Sequence, residues 1–199
     1  MSIAVGIVRP DRFILAADKK IIGGGGYYRN EILTKVFQPH GDFAVAMVGT
    51  CSQINVAQDL LCGGPTSGAE IASGIREWGF PRFFMQHFRG RLHEAICAGP
   101  REDEKTHDIQ MLWACAYEPA LYCVDIALGY TLCYTYTAIG SGSYHALGVM
   151  YAWEQFDAGR AFAYQPEQCA KSAVQAAGEF SPDCGSDSDV ITVERKVGE

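Results

Sequence analysis

Three side chains near the start of the sequence could together perform nucleophilic catalysis: the hydroxyl of Ser2, the carboxylate of Asp18 and the ammonium of Lys35. Ser2 follows Met1 directly, and a small second residue is the type that methionine aminopeptidase exposes. Removal of Met1 would leave a serine with both a hydroxyl and a free α-amine, whose reference pKa is about 7.7 to 8.0. Such an amine can act as the base for its own hydroxyl.

The two charged residues are predicted to lie at the ends of strands. Asp18 ends the apolar stretch FILAAD and is followed by Lys19 and Lys20, so its carboxylate is expected to emerge at the end of a sheet. Lys35 belongs to the next predicted hairpin, and the two residues can meet if the hairpins pair. Spacing alone leaves an alternative open, in which Asp18 is a strand-ending turn residue and Lys35 is a surface lysine.

Periodicity and turn residues predict the elements that must position this group. Residues 2–8 and 13–17 form one predicted hairpin, and residues 34–39 and 42–49 form a second. Between them, the glycine-rich segment 23–31 is expected to be a mobile loop, because it lacks the Gly-Lys-Ser/Thr ending of a phosphate cradle. Further strands are predicted within 108–119, 120–129, 130–140 and 189–195. Helices are predicted at 51–61, at 67–97 with a break near Gly79 and Pro81, at 143–156 and at 166–180.

The order of these elements predicts an α+β fold. Helices arrive in pairs after runs of antiparallel strands, which disfavours the strict alternation of a doubly wound parallel sheet. Two stacked antiparallel sheets, flanked by a helix pair on each outer face, fit the order as a four-layer αββα sandwich. With 199 residues and no evident linker, the chain is expected to form a single domain over 1–199.

Composition excludes several classes of function. The formal net charge of −7 disfavours a nucleic-acid surface and an anionic membrane surface. No apolar run reaches the roughly 18 residues of a membrane span, and no secretory signal is recognised. A cytoplasmic protein is therefore predicted. The eight cysteines lie in apolar runs without a CxxC pair, which indicates reduced core thiols and gives little support to a zinc site.

Other constellations of reactive side chains are weaker. His93 and Cys97 lie four residues apart on a predicted helix and could share a metal, but no third ligand is evident. A Cys–His hydrolase could be drawn from His145 and any of several cysteines, and no local sequence favours one of them. The aromatic segment 80–88 (FPRFFMQHF) fits either an inter-subunit contact or ordinary core.

Several motifs, in order along nearly the whole chain, resemble the proteasome β-subunit family of N-terminal-nucleophile hydrolases, and the bacterial HslV-type peptidase in particular. They are Ser2, the AAD ending at Asp18, the TKV around Lys35, the VGTCSQ around Gly49, AIGSGSYHALG at 138–148 and the closing DVITVE. The interval from Ser2 to Asp18 is that of the family, whereas Lys35 falls one residue later.

The resemblance implies a role for each matching residue. Ser2 would be the nucleophile, Asp18 would orient Lys35, and the Lys35 ammonium would lower the proton affinity of the α-amine. Gly49 would offer its backbone N–H to the oxyanion, and Ser141 would bridge to the α-amine; Ser141 could also cap the next helix, and both roles can hold at once. Asp183 would supply a further acid.

The implied activity is that of a peptidase subunit in a self-compartmentalising protease, with peptides or unfolded proteins as substrates. The resemblance also implies a homo-oligomeric ring, stacked as a double ring, and an ATP-dependent unfoldase as partner. No cofactor is required, but carbonyls of the loop before the last strand could bind a monovalent cation. Two alternatives remain: an inactive ring-forming scaffold that retains Met1, and an amidohydrolase that acts on small molecules.

Overall fold

A computed structural model describes residues 2–23, 26–28, 34–63, 67–98, 108–157 and 165–196. The strands are β1 Ile3–Val8, β2 Arg12–Asp18, β3 Ile21–Gly23, β4 Gly26–Tyr28, β5 Val36–His40, β6 Phe43–Val48, β7 Gln110–Cys115, β8 Leu121–Val124, β9 Tyr130–Cys133, β10 Tyr136–Gly140 and β11 Ser188–Glu194. The helices are α1 Cys51–Cys62, α2 Gly68–Trp78, α3 Phe80–Phe83, α4 Arg89–Cys97, α5 Ser143–Asp157 and α6 Pro166–Phe180, with a π-helical turn Phe84–Phe88 between α3 and α4. Among the helices in these ranges, none combines the length and apolar composition that crossing a bilayer requires.

Two antiparallel sheets form the middle of the molecule. Sheet I has the strand order β10-β1-β2-β11, and sheet II has the order β5-β6-β7-β8-β9. A separate two-stranded ribbon pairs β3 with β4. The first predicted hairpin, β1–β2, forms the centre of sheet I, and the second predicted hairpin, β5–β6, begins sheet II.

Side chains that alternate along each strand build three apolar layers. On β2, Leu15 packs between the two sheets, whereas Ile14 packs against α5 and α6. On β7, Trp113 faces the opposite way, toward the layer that contains α1, α2 and the aromatic segment 80–88. The layers therefore run helices, sheet I, sheet II, helices, which confirms the predicted αββα sandwich.

The helical run after α1 is divided where the sequence predicts. Gly79, with φ of +75°, ends α2, and Pro81 occupies the first turn of α3. The four phenylalanines of the aromatic segment are buried beneath sheet II, while Met85 and His87 between them are exposed. Core packing therefore accounts for the phenylalanines, and an inter-subunit contact through the exposed residues stays a prediction.

Two local predictions were wrong. Residues 130–140 were expected to form one strand, but they form β9 of sheet II and β10 of sheet I, because the chain crosses between the sheets at 134–135. Within the segment 23–31, Gly23 and Gly26–Tyr28 belong to the β3–β4 ribbon instead of a loop, as the isoleucines and tyrosines that flank the glycines favour. Residues 24, 25 and 29–31 of that segment lie outside the described residues.

A buried carboxylate joins the β5–β6 hairpin to two other parts of the chain. Asp42 accepts hydrogen bonds from Arg76 on α2 at 2.9 Å and from Lys196 after β11 at 2.6 Å, with His40 at 3.6 Å. Burial alone would raise the pKa of Asp42, but the hydrogen bond and positive charge of Lys196, together with the hydrogen bond from Arg76, hold it below the ordinary value of 3.8.

Because the folded pKa lies below the unfolded one, Asp42 stabilises the fold above about pH 4 and loses that effect as the pH falls through the folded value. We expect Asp42→Asn to lower the free energy of unfolding by about 1 to 2 kcal/mol at pH 7. The difference from the parent should shrink steadily below about pH 4. Urea titrations at a series of pH values measure it, and a difference that persists unchanged at pH 2.5 would contradict this role.

Candidate active site

Ser2, Asp18 and Lys35 form one contact group. The ammonium of Lys35 donates to Ser2 Oγ at 2.7 Å and to Asp18 Oδ1 at 2.9 Å, and it also donates to the backbone carbonyl of Lys20. Ser2, Asp18 and Lys35 are 5%, 1% and 4% exposed. The predicted meeting of the strand end at Asp18 with the lysine of the second hairpin is therefore observed, and the reading of Lys35 as a surface lysine is excluded.

Strand register explains why these side chains meet. In sheet I, Ile3 lies opposite Gly140, and Asp18 lies opposite Ser188, so the start of β1, the end of β2 and the start of β11 share one edge. In sheet II, Lys35 immediately precedes β5 and its carbonyl accepts from Met47 N–H at 2.7 Å. The amide of Gly140 donates to Gln110 Oε1 of sheet II at 3.2 Å, which ties the two edges together.

The carboxylate of Asp18 is held from two further directions. Its Oδ1 accepts the backbone N–H of Ile3 at 3.0 Å, and its Oδ2 accepts the backbone N–H of Gly185 at 2.9 Å. A buried carboxylate is tolerated when an opposite charge and hydrogen-bond donors compensate its desolvation. Asp18 has both, and it therefore fixes the position of the Lys35 ammonium beside Ser2.

Gly49 lies at the edge that Lys35 defines, two residues beyond Met47 in the bend between β6 and α1. Its φ of +146° and its surroundings require glycine, since an added Cβ would come within 2.2 Å of the carbonyl oxygen of Asp108. The side-chain oxygen of Gln53 accepts from Asp108 N–H at 2.8 Å and holds that neighbouring segment. The structure thus places Gly49 in a fixed backbone conformation at the same end of the sheet as Lys35. Donation of its N–H to an oxyanion stays a prediction.

Ser141 joins the group through its backbone. Its N–H donates to the carbonyl of Ser2 at 3.1 Å, and its hydroxyl lies 3.6 Å from the sulfur of Cys184. Helix α5 begins at Ser143, and the carbonyl of Gly142 accepts its first hydrogen bond, from Ala146 at 3.2 Å. The reading of Ser141 as the cap residue of this helix is therefore wrong, because that position belongs to Gly142.

Asp183 lies in the turn between α6 and β11 and is half-buried. The turn itself reaches the site, since Gly185 two residues later binds Asp18. Among the described residues, no hydrogen bond or ion pair from Asp183 to Ser2, Asp18 or Lys35 is present. The contribution of Asp183 as a further acid stays a prediction.

Lys19 and Lys20, which follow Asp18, contact different parts of the protein. Lys19 pairs on the surface with Asp189 of the neighbouring strand, at 2.6 Å. Lys20 turns inward: its ammonium donates to the carbonyls of Pro182 at 2.5 Å and Cys184 at 3.2 Å. Both lysines are evident beside Asp18 in the sequence, but the sequence predicts no role for Lys20 or Gly185. The charge of Lys20 beside Asp18 was the one available signal, since nothing local points to a turn more than 160 residues away.

The carbonyls of Pro182 and Cys184 belong to the loop in which the resemblance implies a monovalent cation. Backbone carbonyls are suitable ligands for such an ion. Here, however, both accept hydrogen bonds from the Lys20 ammonium, so these two groups do not fit an additional cation. No group of three or more His, Cys, Asp or Glu side chains that could hold a metal is found in the described part of the chain.

The remaining candidate residues lie elsewhere. The sulfur of Cys97 is 3.7 Å from His93 Nδ1 on the exposed side of α4. His145 packs against the ring of Phe180, with ring centroids 5.7 Å apart. All eight cysteines are free thiols, and Cys115, Cys169 and Cys184 are buried.

Solved structures share this fold. The chain is similar to Thiobacillus denitrificans BPH in complex with epoxomicin, at 22% identity and a TM-score of 0.66, over 96% of this chain and 98% of that one. It matches BPH without that compound at 23% identity, a TM-score of 0.65 and coverage of 96% and 97%. It is also similar to eukaryotic HslV from Trypanosoma brucei, at 15% identity and a TM-score of 0.65, over 97% and 99%. No family model and no curated protein matches the sequence.

These similarities, all at 23% identity or below, show a common fold. The chain therefore shares the fold of Trypanosoma brucei HslV, in agreement with the resemblance that the sequence motifs indicate. The group of Ser2, Asp18 and Lys35 lies at the end of sheet I where β1 begins.

The loop before β11 depends on a glycine of α6. An added Cβ at Gly178 would come within 2.5 Å of the backbone at Gly185 and Ser186. Backbone atoms cannot relieve such an overlap by a change of rotamer, as a side chain can. We therefore expect Gly178→Ala to lower the free energy of unfolding by about 1 to 3 kcal/mol. At Gly148 on α5 an added Cβ meets nothing within 4 Å. Gly148→Ala should stabilise by up to about 1 kcal/mol. Denaturant unfolding of both variants measures the contrast, and equal effects would contradict it.

Proposed function

We propose that this chain is the peptidase subunit of an HslV-like, self-compartmentalising protease, with Ser2 as nucleophile once Met1 is removed. One observation carries the proposal: a buried lysine ammonium lies 2.7 Å from Ser2 Oγ and 2.9 Å from Asp18 Oδ1, at the edge where β1 begins. Purely structural lysine–aspartate pairs have no need of a hydroxyl on the second residue of the chain. The shared fold with HslV and BPH supports the same reading.

The chemistry follows from the position of these groups. The free α-amine of Ser2 accepts the hydroxyl proton as Oγ attacks the carbonyl carbon of the substrate peptide bond. The positive charge of Lys35 disfavours a second positive charge nearby, which keeps the amine in its neutral, proton-accepting form. The same charge stabilises the developing serine alkoxide, while Asp18 prevents the ammonium from moving away.

Bond cleavage and turnover complete the cycle. The tetrahedral oxyanion is bound by the backbone N–H of Gly49, a type of donor that typically contributes about 3 to 4 kcal/mol. The protonated α-amine then gives its proton to the leaving amine, and the carbon–nitrogen bond breaks to leave an ester on Ser2. Water, deprotonated by the same amine, hydrolyses the ester and restores Ser2. In this proposal the Ser141 hydroxyl bridges to the α-amine, and Asp183 is a further acid of the site.

Assembly belongs to the same proposal. We place the chain in a homo-oligomeric ring that encloses the active sites, with a second ring stacked on it and an ATP-dependent unfoldase that feeds peptide or unfolded protein. Large hydrophobic side chains on the surface of α5 support subunit contacts, since Tyr144 is 86% and Tyr151 is 57% exposed in the single chain. A cytoplasmic location stays a prediction.

Two versions of the protein that differ by one residue test the function. One is released from a fusion so that it begins at Ser2, and the other begins at Met1 and keeps that residue. We expect the first to hydrolyse fluorogenic peptides and the second to be inactive, because its amine lies one residue away from the hydroxyl. Inactivity of both would support a scaffold, and turnover of small amides without peptides would support an amidohydrolase; either result overturns the proposed peptidase.

A further inference from the structure

Lys20 contacts both the group of Ser2, Asp18 and Lys35 and the loop before β11. Its backbone carbonyl accepts a hydrogen bond from the Lys35 ammonium. Its own ammonium donates to the carbonyls of Pro182 and Cys184, 162 and 164 residues further along the chain. A single residue therefore connects the lysine beside Ser2 to the turn that follows α6.

The turn held by Lys20 delivers a donor to Asp18. It begins where α6 ends, with Ser181 N–H bound to Ala177 and Cys184 N–H bound to the carbonyl of Ser181 at 3.1 Å. The next residue, Gly185, donates its N–H to Asp18 Oδ2 at 2.9 Å. Displacement of the turn would remove this donor from a carboxylate that is 1% exposed.

Lys20 and the turn at 182–185 are in close packing contact as well as joined by hydrogen bonds. A Cβ added at Gly185 would come within 2.7 Å of Lys20 Cβ, so the turn packs directly on the base of the Lys20 side chain. The two carbonyls offer partial negative charge that would suit a small monovalent cation. Lys20 supplies one positive charge there, and its three N–H donors suit carbonyl acceptors.

We propose that Lys20 is a built-in substitute for a monovalent cation and a positioning residue for the active group. Its ammonium holds the turn at 182–184, the turn places Gly185 N–H on Asp18, and Asp18 holds Lys35 beside Ser2. The inference rests on the proposed function where it concerns catalysis, whereas the role in holding the loop is independent of any activity. The parent protein should accordingly need neither potassium nor sodium.

The test compares Lys20→Ala, Lys20→Arg and a control, Lys19→Ala, in the assembled protein. Thermal unfolding and peptide hydrolysis are measured in choline chloride and then in potassium or ammonium chloride at the same ionic strength. We expect the parent and Lys19→Ala to unfold within about 1 °C of the same temperature in all three salts, since the surface pair of Lys19 contributes little. Lys20→Ala should unfold at a lower temperature and lose about 10-fold to 100-fold in kcat at similar KM in choline.

Rescue separates positioning from a general structural role. Potassium or ammonium should raise both the unfolding temperature and kcat of Lys20→Ala in a saturable way, and Lys20→Arg should retain most of both. The inference is overturned if Lys20→Ala matches Lys19→Ala, if no small cation rescues it, or if the parent itself requires potassium. If the parent hydrolyses no peptide, the proposed function fails separately, and the unfolding temperatures in the three salts still decide the role of Lys20.

Discussion

Replacement of Ser2 with alanine is expected to abolish peptide hydrolysis, with kcat/KM reduced by about 10⁴-fold or more. Alanine keeps a free α-amine after removal of Met1 and keeps the backbone bond from Ser141 N–H to the carbonyl of residue 2. It removes only the hydroxyl that accepts from Lys35 at 2.7 Å. Lys35 keeps Asp18 and the Lys20 carbonyl as partners, so the free energy of unfolding should fall by only about 1 kcal/mol.

The threonine variant sharpens this result. Ser2→Thr restores a hydroxyl on the same carbon and should retain hydrolysis within about tenfold of the parent, since the nucleophile and its amine are both present. Steady-state kinetics on a fluorogenic peptide, combined with sedimentation to check the assembly, measure both variants. Full activity in Ser2→Ala would show that another residue is the nucleophile.

Lys35→Met is expected to cost both activity and stability. The variant leaves the Asp18 carboxylate, 1% exposed, with two backbone N–H donors but without its ammonium. Breaking a buried pair in this way typically destabilises by about 3 to 5 kcal/mol. Loss of the charge that favours a neutral amine and a serine alkoxide should lower kcat by about 10³-fold or more.

A double-mutant cycle distinguishes the charge pair from simple packing. Asp18→Asn together with Lys35→Met removes both charges, and the double variant should be less destabilised than the sum of the two single variants. Lys19→Met, which breaks an exposed pair with Asp189, is the control and should change the free energy of unfolding by less than about 1 kcal/mol. Additive effects at 18 and 35 in denaturant unfolding, or a Lys35→Met enzyme within tenfold of the parent, would contradict the account.

The meeting of Ser2, Asp18 and Lys35, which all lie at the ends of strands, was predictable from the sequence. Asp18 ends an apolar strand and Lys35 immediately precedes the β5–β6 hairpin, and hairpin pairing is specified locally by alternation and turn residues. Ser2 precedes a strand whose neighbours on both sides end at the same edge. The αββα layering was predictable for a similar reason, because the spacing of apolar residues over short segments indicates most of the helices and strands.

The parts that depend on distant backbone were not predictable in this way. The donor from Gly185 to Asp18 joins residues 167 apart, and its position depends on a close contact between Gly178 and the loop. The expected contributions of this loop were the side chain of Asp183 and carbonyls for a monovalent cation. The observed contacts run instead from the carbonyls of Pro182 and Cys184 to the Lys20 ammonium and from the Gly185 N–H to Asp18. The division of 130–140 was missed because its two halves are both strand-forming and only the packing of two sheets separates them.

In the proposed mechanism, Ser2 carries both the attacking hydroxyl and its base, beside Lys35. Reaction with an epoxyketone tests it most directly, because this compound has two electrophilic carbons and a residue with both a hydroxyl and a free amine can react at both. Intact mass and peptide mapping of the protein from its native host, before and after treatment, should show loss of Met1 and one adduct confined to Ser2. An intact Met1 without an adduct, or an adduct on another residue, would contradict the account.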